Sequence, residues 1–305
     1  MNAQERPPAI IVGVDGSPAA HAALVWATEV AARRGEQLRI VHGLGMPMVM
    51  GVFADTGSER YKAGEQEREA GHRLLGDAAE YARGARPSLD VATVLAPEEA
   101  PAVLLNEAAR GDVIVVGSRG LGAVRAIMLG SVSSRTASHA PCPVVVVPEA
   151  GDERHHGKVV VGVDGSDSSR RALRFALRHA LLTGSSVEVV NSWEVPLPQD
   201  AESLAADAEA MHEEVFDRQS EEIVAGVLAE VVDDQTEDLD ISAVRMQDDP
   251  VEALTRASRD ADLIVVGSRG RGGVRGLIMG STSQGVLHHA KVPVAVLPPH
   301  SDETD

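Results

Sequence analysis

The chain contains the same pair of segments twice, roughly 150 residues apart. DVIVVGSRGLGAVRAIMLGS at 112–131 returns as DLIVVGSRGRGGVRGLIMGS at 262–281. IIVGVDGSPAAHAALVWA at 10–27 returns as VVVGVDGSDSSRRALRFA at 159–176. A period this long indicates duplicated domains rather than a solenoid of short repeats. The sequence therefore predicts a tandem of two similar domains.

Length and composition agree with this duplication. A chain of 305 residues that is 44% hydrophobic can bury two cores of ordinary domain size. We predict domains at 1–150 and 151–305, joined through the polar segment 149–157. Only 2% of the residues are aromatic, so the cores must consist of Val, Leu, Ile and Ala. This composition favours an α/β fold over an aromatic-rich β-sandwich.

Charge and cysteine content restrict the partners and the compartment. A formal net charge of −18 without any block of Lys or Arg argues against nucleic acid and anionic membrane surfaces as partners. The single cysteine, Cys142, excludes an intramolecular disulfide and suits a reducing cytosol. The N-terminus has no signal-peptide pattern, and no apolar run approaches the roughly 18 residues that span a bilayer. We expect a soluble, cytoplasmic protein without a membrane span.

The order of the predicted elements indicates a doubly wound parallel sheet in each half. Residues 9–14 form a short apolar run, typical of a strand that is buried on both faces. Ser17 is placed to cap a helix that has Pro18 at its first position, and Gly35 is placed to end it. Strands alternate with helices in this way throughout, which is the α/β pattern.

The remaining elements follow the same alternation. Further strands of the first half are expected at 37–43, 89–95, 112–117 and 143–148. Its further helices are expected at 62–84, at 98–110 and from Gly130. Strands of the second half are expected near 158–163, 186–191, 239–245, 262–267 and 293–298.

Each half carries a glycine-rich loop with the pattern Gly, two residues, Gly, nine residues, Gly-Ser. Glycines let the backbone approach phosphate oxygens, and the last Gly-Ser begins a helix whose free N–H groups and dipole favour an anion. In a doubly wound sheet, ligands bind beyond the carboxyl ends of the strands, where the loops after the first and fourth strands meet. We therefore predict a phosphate-binding site in each half.

The candidate ligand contacts lie along this loop and at the end of the first strand. Asp15 and Asp164 can meet a ribose hydroxyl or a magnesium ion at the phosphates, although a turn or cap role suits them equally well. In the first half the candidates are Gly13, Asp15, Gly117, Ser118, Arg119, Gly120, Gly122, Gly130, Ser131, Val132 and Ser133. In the second half they are Gly162, Asp164, Gly267, Ser268, Arg269, Gly270, Gly272, Gly280, Ser281, Thr282 and Ser283.

The spacing of the loop separates it from two better known phosphate loops. No Gly-Lys-Ser/Thr follows, which excludes a Walker A loop, and the glycines lack the spacing of a dinucleotide fingerprint. Glycine-rich turns between strand and helix are common, and a single Gly-x-x-Gly is weak evidence for a nucleotide site. Duplication of the full pattern, with an aspartate at the end of strand one in each half, favours nucleotide binding.

With these residues in view, the chain resembles the universal stress protein family in its tandem-domain form. The resemblance covers 9–148 and 158–298. It rests on the GVDGS strand end, the complete glycine motif and the Pro-Val-rich last strand of each half. It implies two Rossmann-like five-stranded sheets of order 3-2-1-4-5, binding of ATP, and a role in stress survival or growth arrest. With the aspartates at the strand ends, the expected cofactor is ATP with Mg²⁺.

The resemblance also implies roles for particular residues. In that family the aspartate after strand one and the end of strand two line the ribose and the adenine. These roles carry onto Asp15 and Gly43 here, and onto Asp164 and Ser192. Gly43 and Ser192 depart from the apolar residue often found there, so the adenine contact would depend more on backbone.

Family members commonly pair through the last strand. PVVVVP at 143–148 and PVAVLP at 293–298 are therefore expected to join the two domains within one chain as a pseudo-dimer, or to join two chains as a homodimer. The Met-rich segment 46–53 suits a lid, a partner surface or ordinary packing. Cys142 suits a small core residue better than a nucleophile, because no base can be assigned to it.

No nucleophile is paired with a base, so we predict that ATP is held rather than attacked. The expected function is a nucleotide-binding regulatory switch that controls a protein partner, with no residue that identifies hydrolysis or autophosphorylation. One alternative is a nucleotide-independent dimeric scaffold, which predicts eroded loops. The other is a weak ATPase or adenylating enzyme of the related adenine-nucleotide hydrolase folds. Such an enzyme should show a Ser-Gly-Gly-x-Asp-Ser-like loop where this chain has Gly-Val-Asp-Gly-Ser.

Overall fold

The computed structural model describes residues 6–45, 57–120, 129–149, 155–194, 213–270 and 279–299. The chain divides into two compact units, Met1–Gly151 and Asp152–Asp305. Within the described part, each unit contains a parallel sheet of five strands with helices between successive strands in the chain.

The first unit follows the predicted alternation. Its strands are β1 (Ala9–Gly13), β2 (Gln37–Gly43), β3 (Val91–Ala96), β4 (Val113–Gly117) and β5 (Val144–Val147). Its helices are α1 (Pro18–Arg34), α2 (Gly57–Ala85), α3 (Ala100–Glu107) and α4 (Ser131–His139). The strands lie in the order β3-β2-β1-β4-β5, and all of these pairs are parallel.

The second unit repeats this arrangement. Its strands are β6 (Lys158–Gly162), β7 (Ser186–Trp193), β8 (Ile241–Gln247), β9 (Leu263–Gly267) and β10 (Val294–Leu297). Its helices are α5 (Asp167–Thr183), α6 (Glu213–Val231), α7 (Pro250–Ala257), a 3₁₀ turn (Ser258–Asp260) and α8 (Ser281–His289). The strand order is β8-β7-β6-β9-β10, again parallel. The α/β fold and the 3-2-1-4-5 order of each sheet are thereby confirmed.

The local signals at α1 are confirmed in detail. The Ser17 hydroxyl accepts a hydrogen bond from the Ala20 amide, and Pro18 begins the helix. Gly35 ends it in the left-handed conformation, at φ 65°, where a residue without a side chain is least strained. The buried face of α1 includes Ala20, Ala23, Leu24, Ala27 and Ala31, which recur at the three-and-four spacing of one helical face.

Two predicted helices of the first unit have different bounds. The helix expected at 62–84 spans Gly57–Ala85 and so begins five residues earlier than predicted. The helix expected at 98–110 ends at Glu107, and Ala108 is extended. The Asp112 carboxylate accepts a hydrogen bond from the Ala109 amide at 2.7 Å, so residues 109–112 form a turn instead of a last helical turn.

Candidate functional site

A cavity of about 500 Å³ lies at the carboxyl ends of β1 and β4 in the first unit. The loops after these strands both reach it, as the doubly wound topology predicts. The predicted residues that line it are Gly13, Asp15, Gly117, Arg119, Gly120, Gly130, Ser131, Val132 and Ser133. The cavity is also lined by residues that the sequence did not indicate as site residues, including Ala20, His42, Ala100 and Leu104.

The second unit has a matching cavity of about 430 Å³ at the carboxyl ends of β6 and β9. The predicted residues that line it are Gly162, Asp164, Ser192, Gly267, Arg269, Gly270, Gly280, Ser281, Thr282 and Ser283. Much of the remaining wall is formed by residues that the sequence did not predict, namely Ser169, Pro250, Leu254 and Met279. These residues lie on helices or before a loop glycine, where no motif distinguishes them from ordinary core positions.

Some predicted residues lie elsewhere. Gly43, Ser118 and Ser268 do not line the cavities, and both serines are buried. Gly122 and Gly272 lie outside the described residues, as does the whole Met-rich segment at 46–53.

The aspartates at the strand ends serve both a turn and the cavity. Oδ1 of Asp15 accepts a hydrogen bond from the Ser17 amide at 2.9 Å, while Oδ2 lies against Gly120. Oδ1 of Asp164 likewise accepts from the Ser166 amide at 3.0 Å, and the Ser166 hydroxyl adds a second hydrogen bond at 2.6 Å. The turn bond therefore uses Oδ1, while Oδ2 lies on the side of the loop glycine in both units.

The first glycine of the motif is required for packing against a helix. A Cβ built on Gly117 would lie 2.6 Å from the Ala19 carbonyl carbon and 2.8 Å from the Ala20 nitrogen, both backbone atoms of α1. A Cβ built on Gly267 would lie 2.5 Å from the Ser168 hydroxyl oxygen of α5. Close contact between strand end and helix thus explains this glycine without any ligand.

The last Gly-Ser closes the loop and begins a helix. The Gly130 amide donates to the Ser118 carbonyl at 2.7 Å, and the Ser133 hydroxyl donates to the same carbonyl at 3.2 Å. In the second unit, the Gly280 amide and the Ser283 hydroxyl donate to the Ser268 carbonyl at 2.7 and 3.2 Å. The hydroxyls of Ser133 and Ser283 therefore hold the loop, and the first amides of α4 and α8 supply the donors for an anion.

The end of the second strand differs between the units. A Cβ on Gly43 would lie 2.7 Å from the Ala100 nitrogen and from the Glu98 oxygen, so the backbone there packs on the beginning of α3 and has no room for a side chain. The neighbouring His42 donates from Nδ1 to the Val14 carbonyl at 2.7 Å and lines the cavity. In the second unit, Ser192 keeps a side chain and lines the cavity itself.

Asn191 is the counterpart of His42. It donates from Nδ2 to the Val163 carbonyl, also at 2.7 Å. A side-chain donor at this position therefore holds the residue after the first strand in both units. The sequence signal was available in the aligned repeats, but histidine and asparagine do not look equivalent until the shared hydrogen bond is seen.

The arrangement offers one carboxylate, one guanidinium, a glycine loop and a helix N-terminus in each unit. Such a set binds an anionic ligand that also carries hydroxyl groups. Within the described ranges, no three His, Cys, Asp or Glu side chains come together to hold a metal ion. No helix in the same ranges has the length and hydropathy needed to cross a bilayer.

Fold and cavities define a class: tandem doubly wound α/β domains, each with a glycine-loop cavity beyond its first and fourth strands. The sequence model of the universal stress protein family matches residues 8–148 and 155–298. The chain belongs to the universal stress protein family, as the sequence motifs predicted.

The relatives agree with this membership, and a full-length solved structure shares the fold. A universal stress protein of Mycobacterium tuberculosis is 33% identical, and the match covers 97% of this chain and 96% of the relative. The crystal structure of a universal stress protein from Archaeoglobus fulgidus has a TM-score of 0.65 at 22% identity and covers 97% of both chains. A solved universal stress protein in complex with cAMP matches 46% of this chain at a TM-score of 0.30.

Proposed function

We propose that the chain is a regulatory protein that binds ATP, with Mg²⁺, in both halves. Occupancy would switch its conformation or association and so control a protein partner in stress survival or growth arrest. The observation that carries the proposal is the pair of cavities, each formed by an aspartate, a glycine loop and a helix N-terminus. Their volumes of about 430 and 500 Å³ lie within the usual range for small-molecule sites.

The residues suit the parts of ATP. The amides at the beginning of α4 and α8 would hold phosphate oxygens, and Asp15 and Asp164 would accept from the ribose hydroxyls. The side nearest His42 or Ser192 would take the base. The net charge of −18 does not prevent this, because charges beyond a Debye length of about 8 Å are screened at physiological salt.

A magnesium ion fits the same set. Mg²⁺ is commonly held by one or two carboxylates together with substrate phosphates and water. Asp15 and Asp164 each have one oxygen in the turn bond and a second oxygen on the loop side. As the alternative to the ribose contact, these carboxylates would hold the ion, which would neutralise charge on the phosphates. The residues assign no hydrolysis or phosphorylation step.

Nucleotide content tests the proposal. Freshly purified protein would be denatured, and the released nucleotide identified and counted by anion-exchange chromatography. Val132→Trp and Thr282→Trp are the matched variants, since each adds an indole at the second residue of α4 or α8, on the wall of one cavity. Gly117→Ala is unsuitable, because its methyl group would meet the α1 backbone.

We expect at most one adenine nucleotide for each cavity, and each variant should lose the nucleotide of the cavity that its indole fills. Wild-type protein that carries no nucleotide and binds no ATP when titrated with magnesium would contradict the proposal. That result would favour the nucleotide-independent scaffold.

Association through the last strands and a cytoplasmic location stay predictions. Light scattering after gel filtration, with and without ATP, would give the mass of the particle. A mass that changes with ATP would support control through association, whereas a constant mass would leave a conformational change as the switch.

A further inference from the structure

The two cavities differ in how they hold their arginine. Arg119 is half-buried and lines the first cavity, and its Nε atom is buried with no hydrogen-bond partner among the described residues. Arg269, the equivalent residue, is exposed. A buried donor without a partner is unfavourable, and an anionic acceptor in the cavity would satisfy it with a charge-assisted hydrogen bond.

The loop that carries each arginine is also held differently. The buried Ser17 hydroxyl donates to the Arg119 carbonyl at 3.3 Å, so the beginning of α1 is connected to the first loop. The Ser166 hydroxyl donates instead to Asp164 Oδ1 at 2.6 Å. Across the described residues, no hydrogen bond from Ser166 reaches the Arg269 carbonyl.

The burial of Arg119 and the hydrogen bond from Ser17 both favour tighter anion binding at the first cavity. A residue whose backbone is already held in the unbound protein loses less conformational freedom on binding, which favours affinity. In the first unit the Arg119 backbone is held by Ser17 and the Arg119 guanidinium is half-buried, while in the second unit the Ser166 hydroxyl donates to Asp164 instead. We propose that the cavities are non-equivalent, and that the first binds the phosphate chain more tightly through Arg119, with Ser17 as its positioning residue.

This inference rests on the proposed nucleotide binding and can be tested separately from it. Thr282→Trp leaves the first cavity open and Val132→Trp leaves the second, so calorimetric titration of each full-length variant reports one site. ATP and adenosine are the two probes, because only ATP carries phosphate. We expect tighter ATP binding to Thr282→Trp protein than to Val132→Trp protein, with a smaller difference for adenosine.

Arginine variants identify the contact. In the Thr282→Trp background, Arg119→Gln should raise the Kd for ATP about tenfold, since hydrogen bonds to charged groups are worth that much or more. The Kd for adenosine should stay unchanged. Arg269→Gln in the Val132→Trp background should have a clearly smaller effect on ATP.

Serine variants separate positioning from capping. Ser17 and Ser166 each accept an amide hydrogen bond at 3.2 Å as helix caps, so Ser17→Ala and Ser166→Ala should lose similar thermal stability. Only Ser17→Ala should weaken ATP binding more than adenosine binding.

Equal ATP affinity at the two open cavities, or equal effects of the two arginine substitutions, would overturn the inference while nucleotide binding stood. Absence of ATP binding in both backgrounds, and in the wild type, would instead contradict the proposed function.

Discussion

The carboxylate of Asp15 lies directly against the α-carbon of Gly120, so that a Cβ at position 120 would overlap Oδ2. Asp164 and Gly270 repeat this contact, with a built Cβ 2.5 Å from Oδ2. The end of the first strand and the glycine loop after the fourth therefore form one surface in each half. The second glycine of the motif is needed at this point because any side chain would displace the carboxylate from the cavity.

Gly117 and Gly120 should respond differently to alanine. Gly117→Ala places a methyl group against the backbone of α1, which cannot move freely, so unfolding should be easier by about 1–3 kcal/mol. Gly120→Ala meets only the Asp15 side chain, which can rotate away at little cost in stability but leaves the cavity changed. Urea denaturation and ATP titration measure the two effects.

The opposite pattern, with Gly120→Ala unstable and Gly117→Ala still binding ATP normally, would show that this division of roles is wrong. Gly45→Ala serves as a control for backbone strain alone. Gly45 has a φ of 64° and no atom within 4 Å of a built Cβ, so its substitution should affect stability without affecting the cavity.

Removal of the Ser220 hydroxyl should destabilise the second half. Ser220 donates to Oδ1 of Asn191 at 2.6 Å, and both residues are buried. Ser220→Ala would leave that oxygen without a donor, at about 1–3 kcal/mol. Thermal unfolding would measure the loss. Ser138→Ala, which removes an exposed hydroxyl that bonds only within its own helix, should change the midpoint little.

Asp112 should be far less tolerant of substitution than its counterpart Asp262. Its buried carboxylate accepts hydrogen bonds from Arg6 at 2.5 and 3.0 Å, and from the Ala9 and Ala109 amides. Asp112→Ala would strand a largely buried guanidinium, which costs about 3–5 kcal/mol. The matching carboxylate of Asp262 accepts from the His156, Gly157 and Lys158 amides and pairs with His155. The His155 side chain is 56% exposed, so Asp262→Ala strands no buried charge and should cost less.

Equilibrium unfolding in urea would rank the two substitutions. An equal loss of stability would mean that the degree of burial of the ion pair does not set its contribution. Arg6→Lys is a useful third variant, because lysine keeps the charge but cannot supply the two hydrogen bonds of the guanidinium fork.

Burial of Cys142 should make stability fall at alkaline pH. Loss of solvation, with a smaller effect of nearby Asp112, raises the pKa of the thiol from 9.0 to about 12. The unfolded chain loses this proton from about pH 9, while the folded protein keeps it up to about pH 12. The stabilising contribution is therefore complete below pH 9 and is lost as the pH rises towards 12.

Comparison with Cys142→Ala isolates this effect. The wild type should lose up to about 1.4 kcal/mol of unfolding free energy per pH unit relative to the variant between pH 9 and 12. Parallel curves for the two proteins would contradict the assignment. A thiol-reactive chromophore at pH 8 should label the thiol only after unfolding, since the buried group stays protonated in the folded protein.

Much of this protein follows from sequence because its signals are local or repeated. The 150-residue period indicated two domains, and strand runs such as that at Ala9–Gly13 are apolar because a parallel sheet is buried on both faces. Ser17 and Gly35 marked the ends of α1 through backbone chemistry that needs no distant partner. Asp15 and the loop glycines indicated a phosphate site because the topology brings the first and fourth strand ends together.

Only the tertiary structure decided which role each of several distant residues has. It assigned Gly117 to the packing of α1 and Gly120 to the Asp15 carboxylate, although both are glycines of one motif. It placed His42 on the cavity wall where Gly43 was predicted. It also joined Ser17 to Arg119 in the first half, whereas among the described residues Ser166 donates to Asp164 in the second. These outcomes depend on distances of a few tenths of an ångström between elements far apart in the chain, which residue type and spacing do not encode.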